Sequence, residues 1–197
     1  MPKIIDHDSY RKELLSKCFD IFAAKGYATL TMRELATELK VSTGTLYHYW
    51  SGKEEIFEAL VTYQSDQDRS KFMQSIGEPK TLKERIEVLV AFVSRNEEYF
   101  LKQFFVGIDY YRHKGDEAMV QNQVMKRSNE LCRDSLVEFL GIEDPEIITF
   151  VLSAITGTIV GRMYEGPLVS MERQGRMLAE LLRLYLQDKA GGREDAQ

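Results

Sequence analysis

The side chains of this sequence that are suited to chemistry fall largely in one short run. Thr43, Gly44 and Thr45 are small, and two of them carry hydroxyls. Tyr47 and Tyr49 add phenols, and Lys53 adds an ammonium. Upstream, Thr31 and Arg33 again pair a hydroxyl with a cation. Hydroxyls and ammonium groups donate to phosphate oxygens, and a guanidinium reaches either a phosphate or a guanine edge. Small residues let a backbone approach a base closely. The chemistry on offer is recognition rather than bond-making. A small helical enzyme would need a nucleophile–base pair, a metal cluster or a phosphate loop, and the sequence offers none. His7, His48 and His113 are scattered, and Cys18 and Cys132 form neither a CxxC nor a cluster with histidine. No catalytic residue, cofactor or metal is expected. The two cysteines read as buried thiols.

Such side chains need helices to hold them, and helical periodicity runs through the sequence with no segment alternating as a strand. Leu14, Leu15, Cys18, Phe19 and Phe22 share one face of a helix predicted from about Ser9 to Lys25, capped by Asp8 or Ser9 and stopped by Gly26. Thr31-Met32-Arg33-Glu34 reads as a capping box. It opens a short helix with Met32, Leu35, Ala36 and Leu39 on one face. Lys40-Val41-Ser42 makes a tight turn, and Ser42 caps a helix from Thr43 to about Tyr49. Two short helices joined by three residues make a helix-turn-helix, whose second helix can lie in the major groove. Ala36 is small where the helices must approach, and Val41 and Leu46 can plug onto Leu35 and Leu39. On pattern alone the same helices could fill a bundle, with Tyr47 and Tyr49 as half-buried core aromatics.

Further helices are predicted at about 53–75, 81–95, 97–114, 116–139, 145–164 and 168–188. The fold class is therefore all-α with about nine helices. A three-helix helix-turn-helix domain is placed at 1–53, a helical bundle at 54–188 and a flexible polar tail at 189–197. The net charge of −5 argues mildly against a nucleic-acid partner. Residues 1–53, however, hold eight lysines and arginines against six acids, a local +2, and only the facing surface need be positive. Nothing resembles a signal peptide. The longest uncharged stretch, Ile147 to Gly161, falls short of the ~20 residues a bilayer requires. A soluble cytoplasmic protein with no membrane partner is expected.

Gly26-Tyr27, Leu30 through Ala36, Val41 through Trp50 and Lys53-Glu54-Glu55-Ile56 together resemble the DNA-binding signature of the tetracycline-repressor family, over roughly the first third of the chain. The resemblance implies an all-α homodimer that binds operator double-stranded DNA and releases it when a small molecule enters the C-terminal domain. It implies phosphate contacts at Thr31, Tyr47, Tyr49 and Lys53, and base-reading or base-adjacent roles for Arg33, Thr43, Gly44 and Thr45. Two residues depart from the pattern. Lys40 stands where the family often has glycine, so a left-handed conformation there carries a cost. Trp50 replaces the usual phenylalanine. Two DNA-binding functions fit: a ligand-responsive repressor, or a constitutive DNA-organising protein without an inducer.

Beyond the long helix no motif is specific. Phe92, Phe104, Phe105 and Met125, with Asp109, Asn122 and Asn129 as polar groups, would suit a pocket for an apolar or aromatic effector. Each could equally be core. Ile147 to Gly161 is apolar nearly all round, and Ser153, Gly157 and Gly161 form a ridge of small residues. With Met171, Gly175, Leu178 and Leu182 of the last helix they form the expected homodimer interface.

Overall fold

Short polar side chains set where many of the helices begin. The structure, a computed structural model, describes residues 6–191. Asp6 caps α1 (His7–Lys25), accepting from the amides of Asp8 and Ser9 at 3.1 and 3.3 Å. Asp8 and Ser9, the expected caps, lie inside the first turn, where the Ser9 hydroxyl donates to Asp6 at 2.6 Å. α1 stops at Gly26, whose φ of 80° suits only glycine, and the Gly26 N–H closes on the Phe22 carbonyl. α2 (Met32–Leu39) opens on the capping box of Thr31 and Glu34, and α3 (Thr43–Tyr49) on Ser42. α4 (Lys53–Ser75) follows, and α5 (Leu82–Arg95) opens on a second capping box, Thr81 with Glu84. The remaining helices are α6 (Glu97–Lys114), α7 (Asp116–Gln121), α8 (Gln123–Leu140), α9 (Pro145–Glu165) and α10 (Met171–Gly191), with a 3-10 turn at Gly166–Leu168. The protein is all-α, with no strand among the described residues.

The described residues hold ten α-helices rather than about nine. The predicted helix at 116–139 is two helices, because Asn122 leaves the helical conformation (φ −64°, ψ 118°). Its Oδ1 accepts from the amides of Val124 and Met125 at 2.9 and 3.1 Å and so caps α8. An asparagine able to bond the backbone ahead of it competes with helix continuation. α10 reaches Gly191, so residues 189–191 of the predicted tail are helical. Residues 192–197 lie outside the described residues. Cys18 is buried as expected, and desolvation pushes its thiol up to about 12. Cys132, also expected inside, is exposed.

The chain packs as two compact units. One comprises residues through Asp68 together with Lys102–Leu131, and the other Arg69–Leu101 with residues from Cys132 onward. The 53/54 boundary predicted from sequence falls inside the first. That unit is centred on an aromatic cluster. Phe57 stacks on Tyr110 at 4.2 Å, and Tyr27 meets both rings edge-on at 5.1 and 5.0 Å. Such ring pairs add about 0.5–1.5 kcal/mol each beyond area burial.

The second unit buries Ile86, Leu89, Val90 and Val93 of α5 against Ile147, Ile148, Val151 and Ile155 of α9 and Met171, Leu178 and Leu182 of α10. Residues 145–168 are long and apolar enough to cross a membrane. Five isoleucine and valine side chains of α9 are nevertheless spent on this core. Arg162 holds the α9–α10 connection, bonding Glu97 at 2.6 Å and the Val169 carbonyl at 2.5 Å. α10 packs chiefly on α5. At Gly175 an added Cβ would stand 2.8 Å from Cγ2 and 3.0 Å from Cγ1 of Val90. Replacing Gly175 by leucine is therefore expected to cost about 1–3 kcal/mol in urea unfolding, against the gain in helix propensity. A variant at least as stable as the parent would show that α5 and α10 do not meet here.

Candidate nucleic-acid interface

α2 and α3 are too short to persist alone, so inward side chains and caps must hold them. Leu35, Ala36 and Leu39 of α2 and Leu46 of α3 are all buried. Between the helices Lys40 takes the left-handed conformation foreseen for it (φ 57°, ψ 40°), and it is the one described non-glycine residue with positive φ. The turn closes with the Lys40 N–H on the Thr37 carbonyl and the Val41 N–H on that of Ala36, at 3.1 and 3.0 Å. Ser42 then accepts from the Thr45 amide at 3.0 Å, and the two hydroxyls lie 2.8 Å apart.

With Leu46 fixed inward, the other side of α3 faces solvent. Gly44 and His48 are exposed and Tyr47 is 54% exposed, while Thr43, Thr45 and Tyr49 are half-buried. Arg33 is exposed in the first turn of α2. The alternative in which Tyr47 is a core aromatic fails. The remaining predicted contacts already have partners. The Thr31 hydroxyl donates to Glu34 at 2.7 Å, which holds that carboxyl below the usual range. The Lys53 ammonium donates to the Tyr27 carbonyl at 2.7 Å and sits 4.2 Å from the Tyr27 ring centre. Burial, then the charge of Lys114, lowers the Lys53 pKa. An ammonium has three donors, so Lys53 keeps others for a phosphate. The Tyr49 hydroxyl lies 2.8 Å from His7 Nδ1. Sequence reading missed His7, because 42 residues separate the pair and no local pattern joins them.

Trp50, the second departure from the family pattern, is buried, with the Arg11 guanidinium 5.6 Å from its ring centre. Its indole N–H finds no acceptor among the described residues. The larger ring fits the space at the cost of one unpaired donor.

The residues expected around an effector pocket are otherwise employed. Phe92 lies in the core of the second unit, and the other six lie in the first. Asp109 accepts from the Ala28 amide at 3.2 Å and lies close against Gly26, so it steadies the loop after α1. Asn122 caps α8 and donates to Glu58 at 2.7 Å. Met125 is buried, Phe104 half-buried, and Phe105 and Asn129 exposed. A shallow cavity of about 140 Å³ lies instead in the second unit, between Val90, Phe150, Ala154, Met171, Gly175 and Leu181, among others. None of the seven lines it.

The expected dimer residues also divide. Ser153 and Gly157 are exposed on α9, and Gly161 is half-buried beside Val169. Met171, Gly175, Leu178 and Leu182 are turned into their own unit. Their helical stripe satisfies α5, and the apolar residues that α10 leaves in solvent are Met177, Leu181, Leu184 and Tyr185.

Two short helices joined by a capped, left-handed turn, the second with one face in solvent, make a helix-turn-helix. Residues 14–60 match the family model of bacterial regulatory proteins of the tetR family. The chain is 28% identical over 120 residues to the HTH-type transcriptional regulator PksA of Bacillus subtilis, covering 59% of this chain and 58% of PksA. The match thus spans little more than half the length of that relative. The fold is similar to that of the transcriptional regulator FadR from Bacillus subtilis, solved in complex with stearoyl-CoA (TM-score 0.67, 17% identity, 88% of this chain and 97% of that one). It is also similar to that of a TetR family transcription regulator from Marinobacter aquaeolei VT8 (TM-score 0.64, 20% identity, 88% and 95%). The likeness to the tetR family is carried by residues 14–60.

The strained turn is testable by stability. Lys40→Gly is expected to stabilise the chain by about 1 kcal/mol in urea, because glycine takes positive φ without a Cβ clash. Destabilisation by that substitution would contradict the left-handed turn.

Proposed function

We propose that the chain is a ligand-responsive transcriptional repressor that leaves its operator when a small molecule binds the region 54–188. The observation that carries this is the outward face of α3: Gly44 and Tyr47 are exposed and Thr43 and Thr45 half-buried on a helix whose one buried side chain is Leu46. In this reading Thr43, Gly44, Thr45 and Arg33 meet or adjoin base edges, and Thr31, Tyr47, Tyr49 and Lys53 meet phosphates. Residues 1–53 act as the reader and 54–188 as the sensor and dimerisation region. The local +2 of the reader suits this role within an acidic chain.

Two readers are needed to span two half-sites about 34–36 Å apart. The exposed apolar face of α9 and α10, with Phe150, Gly157, Met177 and Leu181, is where we place the second copy. Small residues on α9 let a partner helix approach closely. A bilayer would need α9 free to face lipid all round, whereas Ile147, Ile148, Val151, Ile155 and Ile159 are already committed to its own core. The effector we infer is apolar or aromatic, in keeping with the aromatic content of the sensor and with the acyl ligand of FadR. α4 belongs to both units and is the natural carrier of a ligand-driven change. No residue is given a catalytic role, and the protein works in the cytoplasm.

A duplex enriched by the protein from a random-sequence pool provides the test. Tyr47→Phe removes one hydrogen bond to phosphate, so it should weaken binding about fivefold on every sequence alike. Thr45→Val should change the preferred sequence. If both variants bound like the parent, the reader would be misplaced. Leu181→Glu should turn a dimer into a monomer in sedimentation, and an unchanged mass would exclude this interface. An apolar compound that raises the melting temperature and lowers DNA affinity would separate a repressor from a constitutive DNA-organising protein.

A further inference from the structure

We propose that His7 is a positioning residue of the DNA contact. Its hydrogen bond with Tyr49 decides whether the Tyr49 hydroxyl can donate to a phosphate, so DNA affinity rises as His7 takes up a proton. The inference rests on the DNA-binding reading above. That reading gives Tyr49 a phosphate and gives His7 nothing.

The geometry is a cluster formed by the head of α1 and the last turn of α3. His7 Nδ1 and the Tyr49 hydroxyl are 2.8 Å apart. The His48 ring centre lies 5.9 Å from that of His7 and 4.9 Å from that of Tyr49, and Tyr10 is 6.2 Å from Tyr49. His7 and His48 are exposed and Tyr49 is half-buried, so the cluster is open to an incoming backbone.

A phenol has one hydrogen, and a phosphate oxygen only accepts. When the neutral imidazole carries its proton on Nε2, the Tyr49 hydrogen is spent on Nδ1. Only oxygen lone pairs then face outward, and they repel a phosphate. When Nδ1 carries a proton, the ring donates to the Tyr49 oxygen and the hydroxyl hydrogen is free to turn outward. The imidazolium always has this arrangement. It also adds a positive charge and a second N–H. Phosphate binding and proton uptake at His7 therefore reinforce each other, as linked equilibria must.

Charged and titratable groups surround the pair. α1 contributes Asp6 and Asp8 beside His7, then Tyr10 and Arg11, while α3 contributes His48 and Tyr49 and no acid. Hydrogen bonds from Ser9 hold the Asp6 carboxyl below its usual range, so it stays ionised where a histidine titrates.

The test is the pH profile of affinity for the enriched duplex, at constant ionic strength between about pH 6 and pH 8, where histidine changes charge. The wild-type protein should bind more tightly as pH falls, by up to about tenfold per pH unit for one proton taken up. His7→Gln and His7→Asn should both flatten the profile, whereas His48→Gln should retain the part that depends on His7. Tyr49→Phe should weaken binding, and adding His7→Gln to it should cost little more, since the two residues act as one device. A His7→Gln profile parallel to that of the wild type, or additive losses from the two substitutions, would overturn the proposal. Absence of wild-type DNA binding at every pH would overturn the DNA-binding reading itself, and this proposal with it.

Discussion

A helix of seven residues has almost no internal hydrogen bonds to spare, so what α3 can do depends on how the rest of the chain holds it. Leu46 pins it from beneath, Ser42 satisfies its first turn, and the left-handed Lys40 sets the angle at which it leaves α2. Because one apolar side chain does the anchoring, the other side chains are left for solvent or a partner. Longer amphipathic helices would gain stability by burying a full stripe. This one gives up that gain, and the small polar residues of its outer face are what remain usable. The unpaired indole of Trp50 and the left-handed Lys40 lie on either side of it, so local rules are broken at both of its ends.

The remainder of the first unit is built to support that helix. The aromatic cluster of Tyr27, Phe57 and Tyr110 ties the loop before α2 to α4 and α6. Polar groups follow the same route. Lys53 holds the Tyr27 carbonyl, Asp109 holds the Ala28 amide, and Glu54 accepts from Lys114 at 2.7 Å. The Lys114 bond draws the Glu54 carboxyl below its ordinary range. Glu58 and Asn122 extend the set to the start of α8. Asp109 and Asn122, which read as ligand contacts in the sequence, thus satisfy a backbone amide and a helix cap, because partly buried polar groups take their nearest partners.

In the second unit the decisive constraint is the closeness of α10 to α5. Gly175 removes a side chain where Val90 already stands, and the helix turns Met171, Leu178 and Leu182 inward. That rotation settles which residues are left on the outside. Phe150, Met177, Leu181 and Leu184 are left as apolar side chains in solvent.

The sequence by itself determined the helix class, the capping box of Thr31 and Glu34, the Gly26 stop, the left-handed Lys40 turn and the likeness to the tetR DNA-binding signature, because each is a short-range matter of a few neighbouring residues. It also placed Leu46 inward, whereas Tyr47 stayed open between core and surface until the packing put it in solvent. Tertiary structure alone decided the rest. Whether Met171 or Met177 faces out depends on which side of α10 meets α5. Whether Asp109 lines a pocket or holds the Ala28 amide depends on a contact 81 residues away in the chain. The pairing of His7 with Tyr49 is of the same kind. Such contacts come from packing between distant segments, and no local spacing encodes them.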